Sequence, residues 1–330
     1  MSMTMMILLL AMSQQPTPPQ SQPAETKPAQ ASAEKPAGNQ ALALQVALDR
    51  AGFSPGVLDG TTGGNTKKAL DAYRKAQGGE PPAIEATATY QITEADAAGP
   101  FEPEIPSDLV EQSKLKTLGY RTLLEALAER YHATPALLQR LNPGASFTAG
   151  ETITVPNVEP MQLPVDHPKS DAKPTAAEKK TEVQRAQQAA KEKAPVTITV
   201  SKSTSVLTVT DASGKVVMHA PVTTGSERDP LPIGDWKVNG VGLNPTFRYN
   251  PDLFWDADPT HNKAVIPSGP NNPVGLVWID LSKEHYGIHG APEPANIGRS
   301  QSHGCVRLSN WDALRLAAMV KPGTPVHFRP

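Results

Sequence analysis

The amino-acid sequence predicts a multidomain protein with a small α-helical bundle, a small α+β module and a mainly β C-terminal domain. Between residues 41 and 79 apolar residues recur at helical spacing, and residues 116–158 carry a helix, helix, strand pattern. Residues 195–330 instead show short alternating runs separated by turn residues, which is typical of β-strands. The 34 prolines, about twice the usual share, cluster between these three segments and mark their boundaries.

Charge and hydropathy exclude two classes of partner. The chain carries 31 basic and 33 acidic residues, a net charge of −2, which lacks the basic footprint of a nucleic-acid-binding protein. No apolar run approaches the length of a transmembrane helix. We therefore expect neither a nucleic-acid partner nor a membrane span.

The N-terminal stretch divides into two segments that precede any predicted core. Residues 1–13 are apolar and end on small residues, which is typical of a secretory signal peptide, but no Lys or Arg precedes Lys27. Residues 14–40 consist largely of Pro, Gln, Ala and Ser and are predicted to form a disordered leader. We expect export to the periplasm or cell envelope, and a mobile tail without signal function is the alternative.

The first folded segment, residues 41–79, is predicted to contain two helices joined by a tight loop. The first helix ends near Gly52, the loop carries Leu58-Asp59-Gly60, and Thr66 opens the second helix. This order resembles the peptidoglycan-binding-domain-1 family of small three-helix bundles. The resemblance implies binding to the glycan strands of peptidoglycan, whereas a helical bundle without a ligand is the alternative.

Residues 80–115 are predicted to be a Pro- and Ala-rich connector. The next segment, 116–158, has two helices, the run Leu-Asn-Pro-Gly and a strand that closes on Val-Pro. This order resembles a LysM glycan-binding module whose opening strand is degenerate at 116–120, and a spacer that retains the shape is the alternative. Residues 159–194 are predicted to form a charged linker that lets the C-terminal domain search the nearby wall.

The C-terminal segment, 195–330, is long enough to bury a core of its own. Alternating apolar residues predict strands, and a helical pattern is confined to the stretch from 310 to 320. The predicted strands lie at 196–201, 206–210, 216–219, 235–238, 274–279 and 325–328.

Cys305 is the only cysteine of the chain, which excludes an intramolecular disulfide. It follows His303 and Gly304, and His289 lies sixteen residues upstream. A lone thiol with histidines at this spacing is the pattern of a nucleophile with an imidazole base. The polar neighbours disfavour the alternative, a buried cysteine that acts as a small hydrophobe. Gly304 also permits a sharp turn that presents the thiol and the adjacent N–H groups to a ligand.

The residues around this thiol resemble the catalytic domain of the L,D-transpeptidase (YkuD-type) family. The central match is His289 followed by the run Ser-His-Gly-Cys-Val-Arg from Ser302 to Arg307. Shorter matching stretches extend the resemblance over 195–330. These stretches include Thr224-Gly225, Pro232-Ile233-Gly234, Asn244-Pro245-Thr246, Asn296-Ile297-Gly298 and Gly323-Thr324-Pro325-Val326.

The resemblance implies a catalytic role for four residues. Cys305 is the nucleophile and His289 is the general base, with a backbone carbonyl orienting the imidazole. The N–H groups of Gly304 and Cys305 form an oxyanion hole. His303 lines the site, and it stays an alternative base because the sequence does not decide which histidine takes the proton.

Four further residues are expected to contact substrate. Arg307 anchors a substrate carboxylate with its bidentate guanidinium, unless it forms a structural ion pair. Ser302, Tyr286 and Gly290 line the cleft. The aromatic segment 247–258 is expected to form a lid.

The family implies a peptidoglycan L,D-transpeptidase that needs no metal or cofactor. The thiol attacks the L-centred carbonyl of a stem tetrapeptide, expels the terminal D-alanine, and passes the acyl group to an amine of a second stem as a 3–3 cross-link. Carbapenem-type inhibitors are expected to acylate the same thiol. An L,D-carboxypeptidase or endopeptidase, or an enzyme that attaches a lipoprotein lysine, would share this acyl-enzyme. A non-catalytic cell-wall-binding protein is the alternative from another class.

Overall fold

The computed structural model describes residues 37–164 and 193–330. The predicted signal peptide at 1–13 lies outside these residues, as do most of the leader at 14–40 and most of the linker at 159–194. No helix within the two described ranges is long and apolar enough to cross a membrane.

Helices dominate the first described range and strands dominate the second. The helices are α1 (Ala37–Arg50), α2 (Gly64–Gln77), α3 (Glu94–Ala97), α4 (Leu109–Gln112), α5 (Leu123–Arg130), α6 (Pro135–Leu141) and α7 (Asn310–Met319). The strands are β1 (Thr87–Gln91), β2 (Thr152–Pro156), β3 (Val196–Ser201), β4 (Val206–Asp211), β5 (Val216–Pro221), β6 (Gly234–Leu243), β7 (Phe247–Tyr249), β8 (Ala264–Ile266), β9 (Val277–Leu281), β10 (Gly287–His289), β11 (Val306–Arg307) and β12 (Pro325–Arg329). Short 3₁₀ turns occupy Pro251–Leu253 and Pro294–Asn296.

The C-terminal domain is built on an eight-stranded sheet with the order β11-β10-β9-β6-β12-β3-β4-β5. The pairs β10–β11 and β12–β3 are parallel, and the other neighbours are antiparallel. Alternate residues of a strand point to opposite faces, so the apolar set that includes Ile198, Leu207 and Val326 faces inward and is fully buried. Trp311 and Leu316 of α7 complete the same core. The prediction of a mainly β domain is confirmed.

The helical unit at 41–79 contains the two predicted helices and lacks the third helix of the family that it resembles. Its side chains Leu48 and Phe53 are fully buried, and they pack in a cluster with Val216 of β5. Two short helices cannot enclose a core by themselves. The sheet of the C-terminal domain therefore covers the face that a third helix would have covered.

The second unit opens on a strand that lies inside the predicted connector. β1 pairs antiparallel with β2, from Thr87 opposite Pro156 to Gln91 opposite Thr152. Because α5 and α6 lie between these strands in the chain, the unit has the order β-α-α-β and starts near residue 87. The expectation of a degenerate opening strand at 116–120 was wrong. An insertion that carries α3 and α4 separates β1 from α5. The opening strand therefore lies far from the two helices in the sequence.

The N-terminal units pack directly on the C-terminal domain, which contradicts the expectation that the domain moves on a linker. The buried carboxylate of Asp49 in α1 lies 3.2 Å from Arg315 of α7 and 3.1 Å from His132. At the start of the predicted linker, Met161 is buried in the core of the C-terminal domain. Opening such a contact is costly because each buried charge would lose its partner.

Candidate active site

Cys305 lies in a tight loop that ends where β11 begins. Gly304 has a φ angle of +102°, a left-handed conformation that residues with a side chain rarely adopt. A Cβ atom at this position would lie 2.7 Å from Cε1 of Tyr286, so the tyrosine ring packs directly on the loop backbone. The hydroxyl of Ser302 donates to the carbonyl of Cys305 at 2.6 Å and closes the loop. These contacts hold the thiol in one position.

The thiol of Cys305 is half-buried and neutral at rest. Burial raises its pKa, although a hydrogen bond from the backbone of Gly287 and the charge of Arg307 oppose the rise. The S–H group points to the carbonyl of His285, with Sγ 3.9 Å from the oxygen, rather than to a histidine ring. A thiol in this state needs a base at the moment of attack.

His289 lies on the strand next to the nucleophile loop. The parallel register of β10 and β11 pairs His289 with Arg307. The ring is buried, and its Nδ1–H donates to the carbonyl of Gly290 at 2.6 Å, which leaves Nε2 as the unprotonated nitrogen. Burial and, second, the charge of Arg307 lower the pKa of His289 to about 3. The imidazole is therefore neutral at physiological pH and able to accept a proton.

Trp278 supports this histidine, and sequence reasoning did not single it out. The register of β9 and β10 places Trp278 opposite His289, and the two rings stack with centroids 5.6 Å apart and planes inclined by 23°. A tryptophan in an alternating strand gives no indication of the residue it will face, because strand register is a non-local property.

Arg307 places a positive charge beside the thiol. Its Nε is buried without a hydrogen-bond partner, and no carboxylate of residues 37–164 or 193–330 forms an ion pair with it. Burial lowers the pKa of Arg307, and the neighbouring Cys305 opposes this effect. The alternative role, a structural ion pair, is thus not found among the described residues. A buried guanidinium in this state is suited to an anionic ligand.

His303 contacts the predicted lid. Its Nε2–H donates to the carboxylate of Asp256 at 2.8 Å. Its ring meets Phe254 edge to face, with centroids 5.1 Å apart, and lies 6.0 Å from the ring of Trp255. The carboxylate of Asp256 therefore occupies Nε2 of His303, whereas Nε2 of His289 has no hydrogen-bond partner among the described residues.

The predicted lid, residues 247–258, and the stretch that follows it as far as Ile266 contact the insertion between β1 and α5. The buried residues Tyr249 and Ile266 pack with Leu118 of the insertion. His261, which follows the predicted lid, lies 2.8 Å from the carboxylate of Asp108. The N-terminal part of the chain therefore packs against the segment predicted as a lid, a contact for which the sequence carries no local signal.

Two residues expected to bind substrate have other roles. Ser302 is buried, and its hydroxyl is occupied by the carbonyl of Cys305. Gly290 is buried as well, and its carbonyl accepts the hydrogen bond from His289. Tyr286 stays beside the thiol, and burial followed by the charge of Cys305 raises its pKa. Tyr286 and Arg307 remain as candidates for contact with substrate.

Comparison with known proteins agrees with this geometry. A family model, the YkuD L,D-transpeptidase catalytic domain, matches residues 195–328. YkuD of Bacillus subtilis strain 168, an inferred L,D-transpeptidase, is 26% identical over 206 residues, which are 62% of this chain and 91% of that protein. YbiS of Escherichia coli K12, also inferred, is 35% identical over 118 residues, which are 34% of this chain and 37% of that protein.

The solved structures that resemble this chain include an L,D-transpeptidase from Mycobacterium smegmatis. It is 21% identical, with a TM-score of 0.34, and the match covers 42% of this chain and 59% of that one. The match to the Bacillus subtilis protein is longer than the catalytic domain, so it includes residues before 195. Residues 195–328 therefore match the YkuD L,D-transpeptidase catalytic domain, and the curated relatives that share this region carry the same family name.

Proposed function

We propose that this exported enzyme forms a thioacyl intermediate on Cys305 from a peptidoglycan stem tetrapeptide and transfers the acyl group to an amine, which makes 3–3 cross-links. The observation that carries the proposal is the set of groups around the thiol. A buried, neutral His289 has an unprotonated Nε2, and an unpaired Arg307 lies beside the sulfur. A neutral imidazole takes a proton, and a buried cation favours negative charge nearby.

In the first half of the reaction, Nε2 of His289 removes the proton of the thiol as sulfur attacks the L-centred carbonyl carbon. A C–S bond forms, and the carbonyl oxygen becomes an oxyanion that the N–H groups of Gly304 and Cys305 stabilise. The C–N bond then breaks, and the leaving amine of D-alanine takes the proton from the imidazolium. The product is a thioester on Cys305.

In the second half, an acceptor amine attacks the thioester carbonyl. The amine loses a proton to Nε2 of His289, the C–S bond breaks, and the departing thiolate of Cys305 takes the proton back. The same pair of residues thus serves both halves, as microscopic reversibility requires of an acyl transfer.

Arg307 is proposed to bind a carboxylate of the stem peptide. The guanidinium donates in a fork that matches the two oxygens of a carboxylate, and no protein carboxylate among the described residues occupies it. Such a contact would align the scissile bond with the sulfur.

Intact-mass measurement with a carbapenem tests the acyl-enzyme. Structures of related L,D-transpeptidases have been solved with imipenem and with a faropenem-derived adduct. We expect one adduct on the present enzyme and none on Cys305→Ala. An unmodified wild-type protein would contradict the proposed nucleophile. A Cys305→Ala protein that kept its full cellular function would favour a non-catalytic wall-binding role.

Incubation with purified muropeptides and mass spectrometry identifies the acyl acceptor. A transpeptidase yields a dimer that has lost one D-alanine. Water as acceptor yields only shortened stems, which would indicate an L,D-carboxypeptidase or endopeptidase. A lipoprotein-attaching enzyme yields a product only when a protein with an accessible lysine is added.

We further propose that the β-α-α-β unit binds the glycan strands. A cavity of about 550 Å³ lies between the loop before α5 and the loop after α6. Gln139 and Ser146 supply polar groups there, and Leu124 and Phe147 supply apolar surface. A sugar ring requires both kinds of contact. We expect Phe147→Ala to weaken sedimentation with insoluble peptidoglycan, while Leu163→Ala, an exposed residue outside the cavity, leaves it unchanged.

A further inference from the structure

Glu129 is a buried acid that belongs to the N-terminal part of the chain and contacts the catalytic domain. It lies on α5, and 7% of the residue is exposed. Its Oε1 accepts a hydrogen bond from Nδ2 of Asn310 at 2.9 Å, and the hydroxyl of Tyr120 bonds to the same carboxyl group. Burial raises the pKa of Glu129 to about 7. An acid kept in such a costly position needs an explanation.

Asn310 connects Glu129 to the backbone next to strand β9 through hydrogen bonds of its side-chain amide. It is the first residue of α7 and has no exposed surface. Its Nδ2 donates to Glu129 and to the carbonyl of Pro270 at 3.1 Å, and its Oδ1 accepts from the backbone N–H of Leu276 at 2.9 Å. With these bonds the amide is held in one orientation, because a flipped amide would lose all three.

The amide of Asn310 lies directly against the backbone next to His289. A Cβ atom at Gly290 would be 2.2 Å from Oδ1 of Asn310, so the two groups are in close contact. The carbonyl of the same Gly290 accepts the 2.6 Å hydrogen bond from Nδ1 of His289. The amide therefore packs against the residue whose carbonyl orients the imidazole.

We propose that Glu129 is a positioning residue for His289, acting through Asn310 and the carbonyl of Gly290. A residue of the β-α-α-β unit thus completes the machinery of the catalytic domain. The effect on catalysis rests on the proposed function, in which His289 is the base. The effect on the imidazole does not depend on it.

Asp49 offers a matched control at the same interface. It is also a buried carboxylate of the N-terminal part, and it contacts Arg315, which lies on α7 like Asn310. Its hydrogen bonds lead to Arg315 and His132 and not to Asn310 or Gly290. A substitution at Asp49 weakens the contact between the N-terminal part and α7 without touching Asn310. It therefore shows how much of any effect comes from weaker packing and how much from a displaced His289.

The kinetic test compares carbapenem acylation of the full chain with the variants Glu129→Ala, Glu129→Gln and Asp49→Asn. The maximal acylation rate and the concentration for half-maximal rate are measured separately, together with thermal unfolding. We expect Glu129→Ala to lower the maximal rate about tenfold, as loss of an outer-shell support typically does, with little change in the half-maximal concentration. Glu129→Gln keeps an oxygen acceptor and restores most of the rate. Asp49→Asn lowers the unfolding temperature and leaves the rate near that of the wild type.

A second measurement follows the imidazole itself by nitrogen-15 NMR. We expect the Nδ1–H tautomer of His289 in the wild type and in Asp49→Asn, and a mixture of tautomers in Glu129→Ala. A wild-type rate and tautomer in Glu129→Ala would overturn the inference, and so would equal slowing by Asp49→Asn. If the wild type forms no adduct while the tautomer responds to Glu129→Ala, the proposed function fails and the positioning role stands.

Discussion

The two histidines near Cys305 differ in their surroundings: His289 is buried on a strand of the sheet, and His303 lies in a loop that is partly exposed. His289 is on β10, beside the short edge strand β11, and is 4% exposed, with a backbone carbonyl on Nδ1 and Nε2 unprotonated. His303 is in the loop that carries Cys305, and its Nε2 donates to Asp256 of the predicted lid. The proposed base is therefore not the histidine that is nearer to Cys305 in the sequence. A strand is fixed by its neighbours in the sheet and holds a side chain more rigidly than a loop does.

Exchange of each histidine for asparagine is the strongest test of this comparison. We expect His289→Asn to lower the rate of carbapenem acylation about a thousandfold, the loss typical of a missing general base. His303→Asn should lower it at most about fivefold, because it removes a partly exposed contact with the lid. Rates come from the growth of the adduct in intact-mass spectra. An equal fall of the acylation rate in the two variants would contradict the different roles proposed for the two histidines. The unfolding temperature of each variant shows whether it is still folded.

Arg307 tests whether the site beside His289 holds an anion. We expect Arg307→Lys to raise the KM for a tetrapeptide stem about tenfold, because a lysine keeps the charge but loses the bidentate fork. The value of kcat should change less than KM. Arg248→Lys, a substitution of an exposed arginine on β7, serves as the control and should leave both constants unchanged. An unchanged KM in Arg307→Lys would remove the proposed carboxylate contact.

The contact between His303 and the lid should have a smaller effect. Asp256→Asn weakens the hydrogen bond to His303, and we expect a two- to threefold change in the half-maximal carbapenem concentration, within the range of partly exposed pairs. Asp252→Asn is the matched control, because Asp252 is an exposed residue of the predicted lid whose carboxylate pairs with the surface Lys263 at 3.6 Å and not with His303. A large fall in the maximal rate of Asp256→Asn would instead give His303 a part in proton transfer.

The pH profile should show the smallest change. A base acts only while it is unprotonated, so a pKa lowered from 6.5 to about 3 extends the activity of His289 to lower pH. We expect the acylation rate to stay nearly constant between about pH 5 and pH 8, since the raised pKa of the Cys305 thiol keeps it neutral there. Unfolding measurements at each pH confirm that the protein stays folded. A loss of rate with a midpoint near 6.5 would contradict a buried, neutral His289.

Local patterns predicted the elements of the catalytic domain well. Alternation of apolar residues predicted β3, β4 and β12 almost to the residue, and the helical pattern near 310–320 became α7. The run from Ser302 to Arg307 indicated the loop that carries Cys305. Gly304 in this run adopts a positive φ angle, which a turn of this kind requires. Each of these features depends on residues close together in the chain.

The failures share one cause, which is contact between distant segments. The two helices of the first unit pack against β5, more than 130 residues away, and β1 pairs with β2 across an insertion. The roles of Ser302 and Gly290 depend on hydrogen bonds that the sequence does not display. Such contacts follow from packing, which no local pattern encodes.

The sequence by itself determined the reactive thiol at Cys305, the two candidate histidines and the mainly β character of the domain around them, because nucleophile motifs and strand alternation are local. Only the tertiary structure distinguished the two histidines, because it buries His289 and places the proton on its Nδ1. It also brought Glu129 of the N-terminal part to Asn310 and so to the support of His289. The protonation of a buried imidazole depends on the atoms that surround it in space, and these come from strands, loops and a helix far apart in the chain.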